Sequence, residues 1–283
     1  MKIISSVKEM QRYAEMHRMQ GQRIGVVPTM GFLHDGHCEL IRVAKNNSGL
    51  VITTSFVNPA QFGPAEDFNE YPRDVERDKH LAESAGSDVL FTPSREEMYP
   101  AGYLAYVEVE KITNVLEGKI RPSHFKGVAT IVAKLFNVTM PQVAVFGQKD
   151  AQQAIVIKRM VSDLNFNVDI IIVPIVREPD GLAMSSRNVY LSVAERKVSP
   201  VLFQSLQLAK LLIERGEREC SIVISEMTEL IASKPITKID YISIANADTL
   251  EELTALSEGN RVLISLAIRI GTIRLIDNIL LTI

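Results

Sequence analysis

The chain has 283 residues, of which 46% are hydrophobic, and a formal net charge of −3. This length is enough to bury one large core or a large and a small one, and the near balance of charge argues against general nucleic-acid binding, which favours strongly basic surfaces. The two cysteines give neither a disulfide framework nor a zinc pattern. Apolar runs such as 170–173 and 262–264 are too short to span a bilayer, and residues 1–6 lack the apolar core of a signal peptide, so we expect a cytoplasmic protein.

Strand-like and helix-like runs alternate along the first part of the chain. The predicted strands are 24–27, 50–57, 88–92, 143–146 and 168–175, and the predicted helices are 38–46, 74–85, 128–139 and 152–164. The strands are nearly continuous in Val, Ile and Leu, which predicts burial on both faces. The order predicts an α/β fold with a doubly wound parallel sheet, in which ligands bind at the carboxyl ends of the strands.

The pattern changes after about residue 188. Helix-like stretches 193–214 and 222–232 precede strand-like stretches 239–245, 261–270 and 272–283, the last two of which suggest a hairpin. We therefore predict a catalytic domain over residues 1–176 and a smaller α+β domain over residues 177–283.

The motif His34-Asp35-Gly36-His37 lies between a strand-like run and an amphipathic stretch. This context predicts a helix N-terminus, whose N–H groups and dipole suit a phosphate, and two imidazoles on one face of its first turn. A helix cap and a metal site are the alternatives, although this spacing supplies only two metal ligands. The adjacent Cys38 is interpreted as a small buried residue, not as a nucleophile.

Residues 180–188 combine small side chains with Ser185, Ser186 and Arg187. Two hydroxyls and a guanidinium can bind phosphate, and the composition suggests a mobile loop. An ordinary polar turn before a helix is the alternative. Together with the histidine motif, the segment suggests an enzyme that handles a nucleoside triphosphate.

A third motif, residues 146–150, follows a predicted strand. Gly147 would let a ligand approach the backbone, Lys149 offers a cation, and Asp150 is a candidate helix cap. Neither a Walker sequence nor a dinucleotide fingerprint occurs in the chain.

Other candidate residues carry weaker signals. The neutral amides of Gln61 and Gln153 fall near predicted strand ends or helix starts, where solvated glutamines are common. Asp78 and Glu117 are candidate magnesium ligands, although exposed helix carboxylates are far commoner.

Taken together, these segments resemble the pantoate–β-alanine ligase family. The matching stretches run in order over most of the chain and are residues 28–31, 34–37, 56–62, 71–73, 124–128, 146–153, 180–188 and 271–278. The histidine motif and the serine–arginine segment are similar to signatures of the wider nucleotidyltransferase group, which includes class I aminoacyl-tRNA synthetases. Arg187 stands where the synthetase loop carries a lysine, and Lys126 where this family often has arginine.

The resemblance implies a Rossmann-like fold of nucleotidyltransferase type and a reaction of ATP, pantoate and β-alanine that gives pantothenate, AMP and diphosphate through a pantoyl adenylate. It implies Mg²⁺, with Asp78 as a candidate ligand, and a homodimer. The implied catalytic residues are His34, His37, Lys149, Ser185, Ser186 and Arg187. The implied ATP-binding residues are Met30, Gly31, Phe32, Leu33, His34, Asp35, Gly36, His37, Gly147, Gln148, Lys149, Asp150, Val176, Met184, Ser185, Ser186 and Arg187.

Gln61 and Gln153 are expected to bind the polar groups of pantoate, and Met30 and Phe62 its methyl groups. The smaller domain is expected to act as a lid over the adenylate, which water would hydrolyse. One rival is an enzyme that joins AMP to a phosphorylated substrate, which would call for more basic residues near the acceptor. The other is a non-catalytic nucleotide-binding regulator, although the phosphate-contacting residues are all present.

Overall fold

A computed structural model describes residues 1–64 and 66–283, which form two compact units. The first unit comprises Met1–Gln148 and Gln153–Pro174, and the second comprises Lys149–Gln152 and Ile175–Ile283. Among the described residues, no helix combines the length and the apolar character that crossing a membrane requires.

The first unit is built on a six-stranded sheet of order β1-β4-β3-β2-β5-β6, in which paired strands are parallel. Its elements in chain order are β1 (Lys2–Ile4), α1 (Val7–Met19), β2 (Ile24–Val27), α2 (Asp35–Asn47), β3 (Leu50–Thr54), α3 (Val75–Ala85), β4 (Val89–Phe91), α4 (Arg95–Met98), α5 (Glu117–Ile120), α6 (His124–Thr139), β5 (Val143–Gly147), α7 (Ala151–Asp163) and β6 (Asp169–Val173).

Both faces of this sheet are covered by helices, which explains the apolar character of its strands. In β5, Val143 and Val145 pack on the face covered by α2 and α3. Ala144 and Phe146 point to the opposite face, where α1, α6 and α7 complete the core. Alternate residues of one strand therefore belong to two different cores, as the period of a strand requires.

The strand order reverses between β2 and β5. From β2 the chain continues to β3 and β4 on one side, whereas β5 and β6 lie on the other. Val26 pairs with Ala144 across this point. In open parallel sheets, ligands bind outside the carboxyl ends of the strands at such a reversal. The histidine motif follows β2, and Gly147 ends β5.

The second unit has helices and a three-stranded antiparallel sheet of order β7-β8-β9. Its elements are α8 (Val193–Val198), α9 (Val201–Glu214), α10 (Cys220–Ala232), β7 (Thr237–Asn246), β8 (Arg261–Ile270) and β9 (Ile273–Thr282). Ile270 pairs with Ile273, so Gly271 and Thr272 form a two-residue turn, with Gly271 at a φ of +58°. This confirms the predicted hairpin.

The fold class is confirmed, with differences in detail. The short strand β1 and the helices α1, α4 and α5 were not predicted. The helix predicted over 193–214 is wrong as a single element, because it is interrupted between Val198 and Val201. Pro200 lies in the break and lacks the N–H that a continuous helix needs. The division into a catalytic domain and a lid remains a prediction.

Candidate functional site

The loop between β2 and α2 is held by the carboxylate of Asp78 on α3. Asp78 Oδ2 accepts hydrogen bonds from the Phe32 N–H at 2.9 Å and the Ser55 hydroxyl at 3.2 Å. Its Oδ1 accepts from the Leu33 N–H at 2.7 Å. Burial raises the pKa of Asp78, and the hydrogen bonds from Leu33, Phe32 and Ser55 offset only part of that rise.

This loop contains two consecutive residues in the left-handed region, Gly31 with a φ of +83° and Phe32 with a φ of +50°. A non-glycine residue there costs about 1–2 kcal/mol. Hydrogen bonds to a carboxylate contribute about 1.5–3 kcal/mol each, so the contacts of Asp78 can offset that cost. A Cβ on Gly31 would lie 2.5 Å from Ser55 Oγ and 2.8 Å from Asp78 Oδ2, so the loop has no space for a larger residue.

The two imidazoles of the histidine motif stack at the start of α2. His34 is the N-cap, and its ring centroid lies 4.0 Å from that of His37, with an interplanar angle of 37°. The backbone N–H of His34 donates to Nδ1 of His37 at 3.2 Å. An N–H can only donate, so Nδ1 is the acceptor and the neutral ring carries its proton on Nε2. The predicted helix N-terminus with two adjacent imidazoles is therefore present.

Gln61 ends a single turn of 3₁₀ helix, Pro59–Gln61, which lies against α6. A Cβ on Gly127 of α6 would lie 2.2 Å from the Ala60 carbonyl oxygen, so only glycine permits this approach. The Gln61 side chain is buried; Asn58 Nδ2 donates to its Oε1 at 3.0 Å, and its Nε2 donates to the Met30 sulfur at 2.9 Å. Two residues predicted to face pantoate, Met30 and Gln61, are thus in contact.

The backbone of Gln61 is held by His124, at the start of α6, and Arg121. His124 Nδ1 donates to the Gln61 carbonyl at 2.9 Å, and Arg121 Nη1 lies 3.3 Å from His124 Nε2. Only a neutral histidine can donate at Nδ1 and accept at Nε2. Burial, followed by the charge of Arg121, lowers the pKa of His124 to about 4. Arg121 also pairs with Glu66, whose pKa it lowers against the opposing effect of burial.

Gly147 has open space beside it. No heavy atom of the described residues lies within 4 Å of the position that its Cβ would take, apart from its chain neighbours, and its φ is not in the left-handed region. Neither packing nor backbone conformation therefore requires glycine there. Gln148 begins the 3₁₀ turn that follows, and the partly buried Gln153 lies in the first turns of α7.

Lys149 and Asp150 belong to the second unit. The Lys149 carbonyl accepts a hydrogen bond from Asn278 Nδ2 at 2.9 Å, so β9 holds its backbone. Its ammonium lies 3.7 Å from Asp150 Oδ1.

Val176 and Met184 pair across a short hairpin in which Met184 N–H donates to the Val176 carbonyl at 3.0 Å. Ser185 then caps a 3₁₀ turn, Ser186–Tyr190, and accepts from the Arg187 N–H at 3.3 Å. Asn188 Nδ2 donates to the Ala183 carbonyl at 3.2 Å. These contacts hold the segment in the structure, and its mobility stays a prediction.

Two arginines brace this hairpin. Arg196 forms ion pairs with Glu178 and Asp180, and the hydrogen bond from Arg196 lowers the pKa of Asp180 against a smaller effect of burial. Arg177 donates to the Gly181 carbonyl at 2.9 Å and pairs with Asp277. These contacts fix the backbone from which Ser185, Ser186 and Arg187 project.

Asp78 anchors the β2–α2 loop, and its predicted role as a metal ligand stays a prediction. Both of its oxygens accept hydrogen bonds from the β2–α2 loop and Ser55, so the carboxylate is already engaged. Glu117 is buried at the start of α5. Across the described part of the chain, no group of three or more His, Cys, Asp or Glu residues is arranged to hold a metal ion.

Several residues that organise the site were not singled out from the sequence. They are Asn58, Tyr99, Arg121, His124 and Arg177. Each of them also contacts a residue that is distant in the sequence, and local patterns do not reveal such a contact. Asn58 and His124 lie within the matching stretches 56–62 and 124–128, which were the signal available for them.

The sequence of the whole chain was compared with known proteins, and it matches relatives of similar length. The sequence model of the family described as "Pantoate-beta-alanine ligase" matches residues 2–280. The chain is 54% identical over 279 residues to a pantothenate synthetase of Caldicellulosiruptor saccharolyticus, covering 99% of each chain. It is 52% identical over 278 residues to one from Thermoanaerobacter sp. strain X514, covering 98% of each.

Solved structures give the same result. The crystal structure of a pantothenate synthetase from Thermus thermophilus superposes with a TM-score of 0.91 at 44% identity, covering 99% of both chains. A pantoate-beta-alanine ligase from Francisella tularensis, complexed with beta-gamma ATP and beta-alanine, gives a TM-score of 0.79 at 35% identity, with 99% of this chain and 97% of that chain covered.

Proposed function

The chain belongs to the pantoate–β-alanine ligase family, and we propose that it joins pantoate to β-alanine while converting ATP to AMP and diphosphate. The observation that carries the proposal is the family match over residues 2–280. The stacked imidazoles at the sheet reversal give it a physical basis, because a helix N-terminus at that place is suited to phosphate.

In the first half-reaction, a carboxylate oxygen of pantoate attacks the α-phosphorus of ATP. The bond to the bridging oxygen breaks, diphosphate leaves, and pantoyl adenylate remains. This step needs no protein nucleophile, so the enzyme's contribution is alignment and stabilisation of charge. The proton on Nε2 of His37 suits that task, since it can be donated as a hydrogen bond to a phosphate oxygen.

The remaining phosphate contacts are assigned to Lys149, Ser185, Ser186 and Arg187. The ammonium and the guanidinium supply positive charge, and the hydroxyls supply hydrogen bonds. The β2–α2 loop and the open space beside Gly147 are assigned to the rest of ATP. Val176 and Met184 fix the hairpin that precedes the serines.

Pantoate carries hydroxyls, a carboxylate and a dimethyl carbon. We assign its polar groups to Gln61 and Gln153 and its methyl groups to Met30 and Phe62. Neutral amides orient a carboxylate without holding it in the strong ion pair that an arginine would form, so its oxygen stays nucleophilic.

In the second half-reaction, the amine of β-alanine attacks the acyl carbon, and AMP leaves with the oxygen that joined the two. The amine must lose a proton first, and its pKa in water is about 10, near that of lysine. Removal of the ammonium from water lowers that pKa and favours the reactive neutral form.

We assign Mg²⁺ to the nucleotide substrate, as a complex with its phosphates. The oxygens of Asp78 are occupied by loop hydrogen bonds. Mg²⁺ usually retains several waters and binds substrate phosphates in such enzymes. The proposed substrate is therefore the magnesium complex of ATP.

Two further parts of the proposal concern larger-scale behaviour. Residues 177–283 are assigned as a lid that protects the adenylate from water, and X-ray scattering with and without ATP tests this.

A homodimer is favoured by the extended segment before α5, where Leu104 is 88% exposed and Tyr106 is 52% exposed. We expect Leu104→Glu to shift the mass measured by sedimentation toward the monomer.

The experiment that tests the activity is exchange of labelled diphosphate into ATP. We expect exchange that requires pantoate and does not require β-alanine, followed by AMP formation when β-alanine is added. Exchange only with a phosphorylated acceptor, or no exchange with any acid, would overturn the proposal.

A further inference from the structure

Tyr99, Asn58 and Gln61 form a chain of side-chain hydrogen bonds in the first unit. Tyr99 Oη lies 2.8 Å from Asn58 Oδ1, and Asn58 Nδ2 lies 3.0 Å from Gln61 Oε1. Asn58 is almost completely buried and Gln61 is buried. Their amide orientations are therefore set by protein partners.

Two backbone groups allow only one orientation of Asn58. The Gly127 carbonyl, which can only accept, lies 3.1 Å from Asn58 Nδ2. The Ala60 N–H, which can only donate, lies 3.3 Å from Asn58 Oδ1. With Nδ2 on the side of Gly127 and Oδ1 on the side of Ala60, both backbone groups are satisfied, whereas the reversed amide would satisfy neither.

The orientation of Asn58 determines the direction of the other two hydrogen bonds. Oδ1 is an acceptor, so the Tyr99 hydroxyl must donate to it. Nδ2 is a donor, so Gln61 must turn Oε1 toward Asn58. The Gln61 Nε2 then points away from Asn58 and toward the sulfur of Met30 at 2.9 Å. A thioether is a weak acceptor, which an oxygen of a ligand can replace with a gain in energy.

We propose that Asn58, whose orientation the two backbone groups set and whose position the Tyr99 hydroxyl secures, fixes Gln61 with its amide N–H groups toward the substrate, so that Tyr99 is a positioning residue and the substrate atom facing Gln61 must be a hydrogen-bond acceptor. The inference rests on the proposed function, because it takes pantoate as the ligand at Gln61. It specifies that Gln61 donates and pantoate accepts in that contact. It also adds Tyr99, which does not itself contact the substrate.

The local environment keeps Tyr99 in the donating state. Burial raises the pKa of Tyr99, so its hydroxyl retains its proton over the working pH range. Its ring packs against Phe56 and Tyr103, with centroid distances of 6.3 and 5.0 Å. A Tyr99→Phe substitution keeps these ring contacts and removes only the donor.

The test measures pantoate-dependent diphosphate exchange in wild type, Tyr99→Phe and the control Tyr103→Phe. Tyr103 belongs to the same ring cluster, and the 2.8 Å contact with Asn58 is made by Tyr99. We expect Tyr99→Phe to raise the pantoate KM about five- to tenfold, the effect of one hydrogen bond, with the ATP KM within about twofold of wild type. Tyr103→Phe should leave both constants near the wild-type values.

A second variant tests whether Gln61 presents its N–H groups or its carbonyl to the substrate. It replaces the first variant if Tyr99→Phe does not fold. Asn58→Asp is nearly isosteric but cannot donate, so Gln61 must turn an N–H toward residue 58 and its carbonyl toward the substrate. We expect a larger rise in the pantoate KM, and a smaller effect of Tyr99→Phe in that background than in wild type.

An unchanged pantoate KM in folded Tyr99→Phe, equal changes in both KM values, or additive effects in the double variant would overturn the inference. These outcomes are separable from failure of the proposed function, which would appear as absent exchange in the wild-type protein.

Discussion

Arg177 and Asp277 form a bidentate ion pair that ties the hairpin before Ser185 to strand β9. Arg177 Nη1 and Nη2 donate to the two carboxylate oxygens of Asp277 at 2.6 and 2.9 Å. The guanidinium also lies 4.1 Å from the ring centroid of Phe203. Asp277 is 2% exposed, so the pair is shielded from water. It supports the backbone that presents the proposed phosphate contacts.

We expect Asp277→Asn to lower the free energy of unfolding by about 3 kcal/mol, because loss of one partner leaves a shielded charge uncompensated. The ATP KM should rise more than the pantoate KM, since the hairpin leads to the serines. Urea unfolding and exchange kinetics measure both. The matched control is Arg261→Gln, whose ion pair with Asp248 is exposed and should contribute less than about 1 kcal/mol. Equal losses in the two variants would contradict this account.

Gly147→Ala separates a ligand contact from a structural role. A Cβ there would meet open space, so we expect the variant to fold with the stability of wild type or up to about 1 kcal/mol more. If ATP approaches this backbone, the ATP KM should rise by about tenfold or more. Gly127→Ala is the contrasting variant, because its Cβ would lie 2.2 Å from the Ala60 carbonyl oxygen, and it should be strongly destabilised. An unchanged ATP KM in Gly147→Ala would remove that residue from the proposed site.

Asp78→Asn distinguishes a loop anchor from a metal ligand. An amide offers one acceptor oxygen where the carboxylate serves the N–H groups of both Phe32 and Leu33. We expect a loss of about 1–3 kcal/mol in stability and a higher ATP KM, neither restored by excess Mg²⁺. Asp74→Asn on the same helix is the control, since asparagine caps a helix as well as aspartate. Rescue of Asp78→Asn by Mg²⁺ would support the metal-ligand interpretation instead.

The lowered pKa of His124 predicts that the stability of the protein depends on pH. Its pKa is about 4 in the folded chain, against about 6.5 when unfolded. Between these values the unfolded chain binds a proton that the folded chain does not, so the free energy of unfolding falls as the pH falls. From pH 7 to pH 5 the contribution of this group amounts to about 2 kcal/mol.

The comparison that isolates this effect is His124→Asn, which keeps a donor near the Gln61 carbonyl but does not titrate. Urea unfolding at both pH values should show a loss in wild type that exceeds the loss in the variant by about 2 kcal/mol. Parallel losses would show that His124 does not carry the dependence.

The buried strands could be predicted because β2, β3 and β5 are rich in apolar and β-branched residues and lie between turn residues. β1 could not, because three residues give no period to detect. The proline at position 200 was a signal for the break between α8 and α9. The apolar pattern on either side of it favoured one continuous helix instead.

The residues of the candidate site also fall into a group that the sequence predicts and a group that it does not. The histidine pair lies within one helical turn, so sequence spacing alone placed the two rings together. Tyr99 reaches Asn58, and Asp78 reaches Phe32, only through the tertiary fold. A single sequence contains no local pattern that connects such pairs.

The central claim is that pantoate attacks ATP directly to form an acyl adenylate. The most direct measurement uses pantoate labelled with oxygen-18 in its carboxylate, with ATP and β-alanine, followed by mass analysis of the nucleotide and phosphate products. The account predicts that each AMP formed carries one labelled oxygen, and that diphosphate carries none. Unlabelled AMP, or label in orthophosphate or diphosphate, would contradict it.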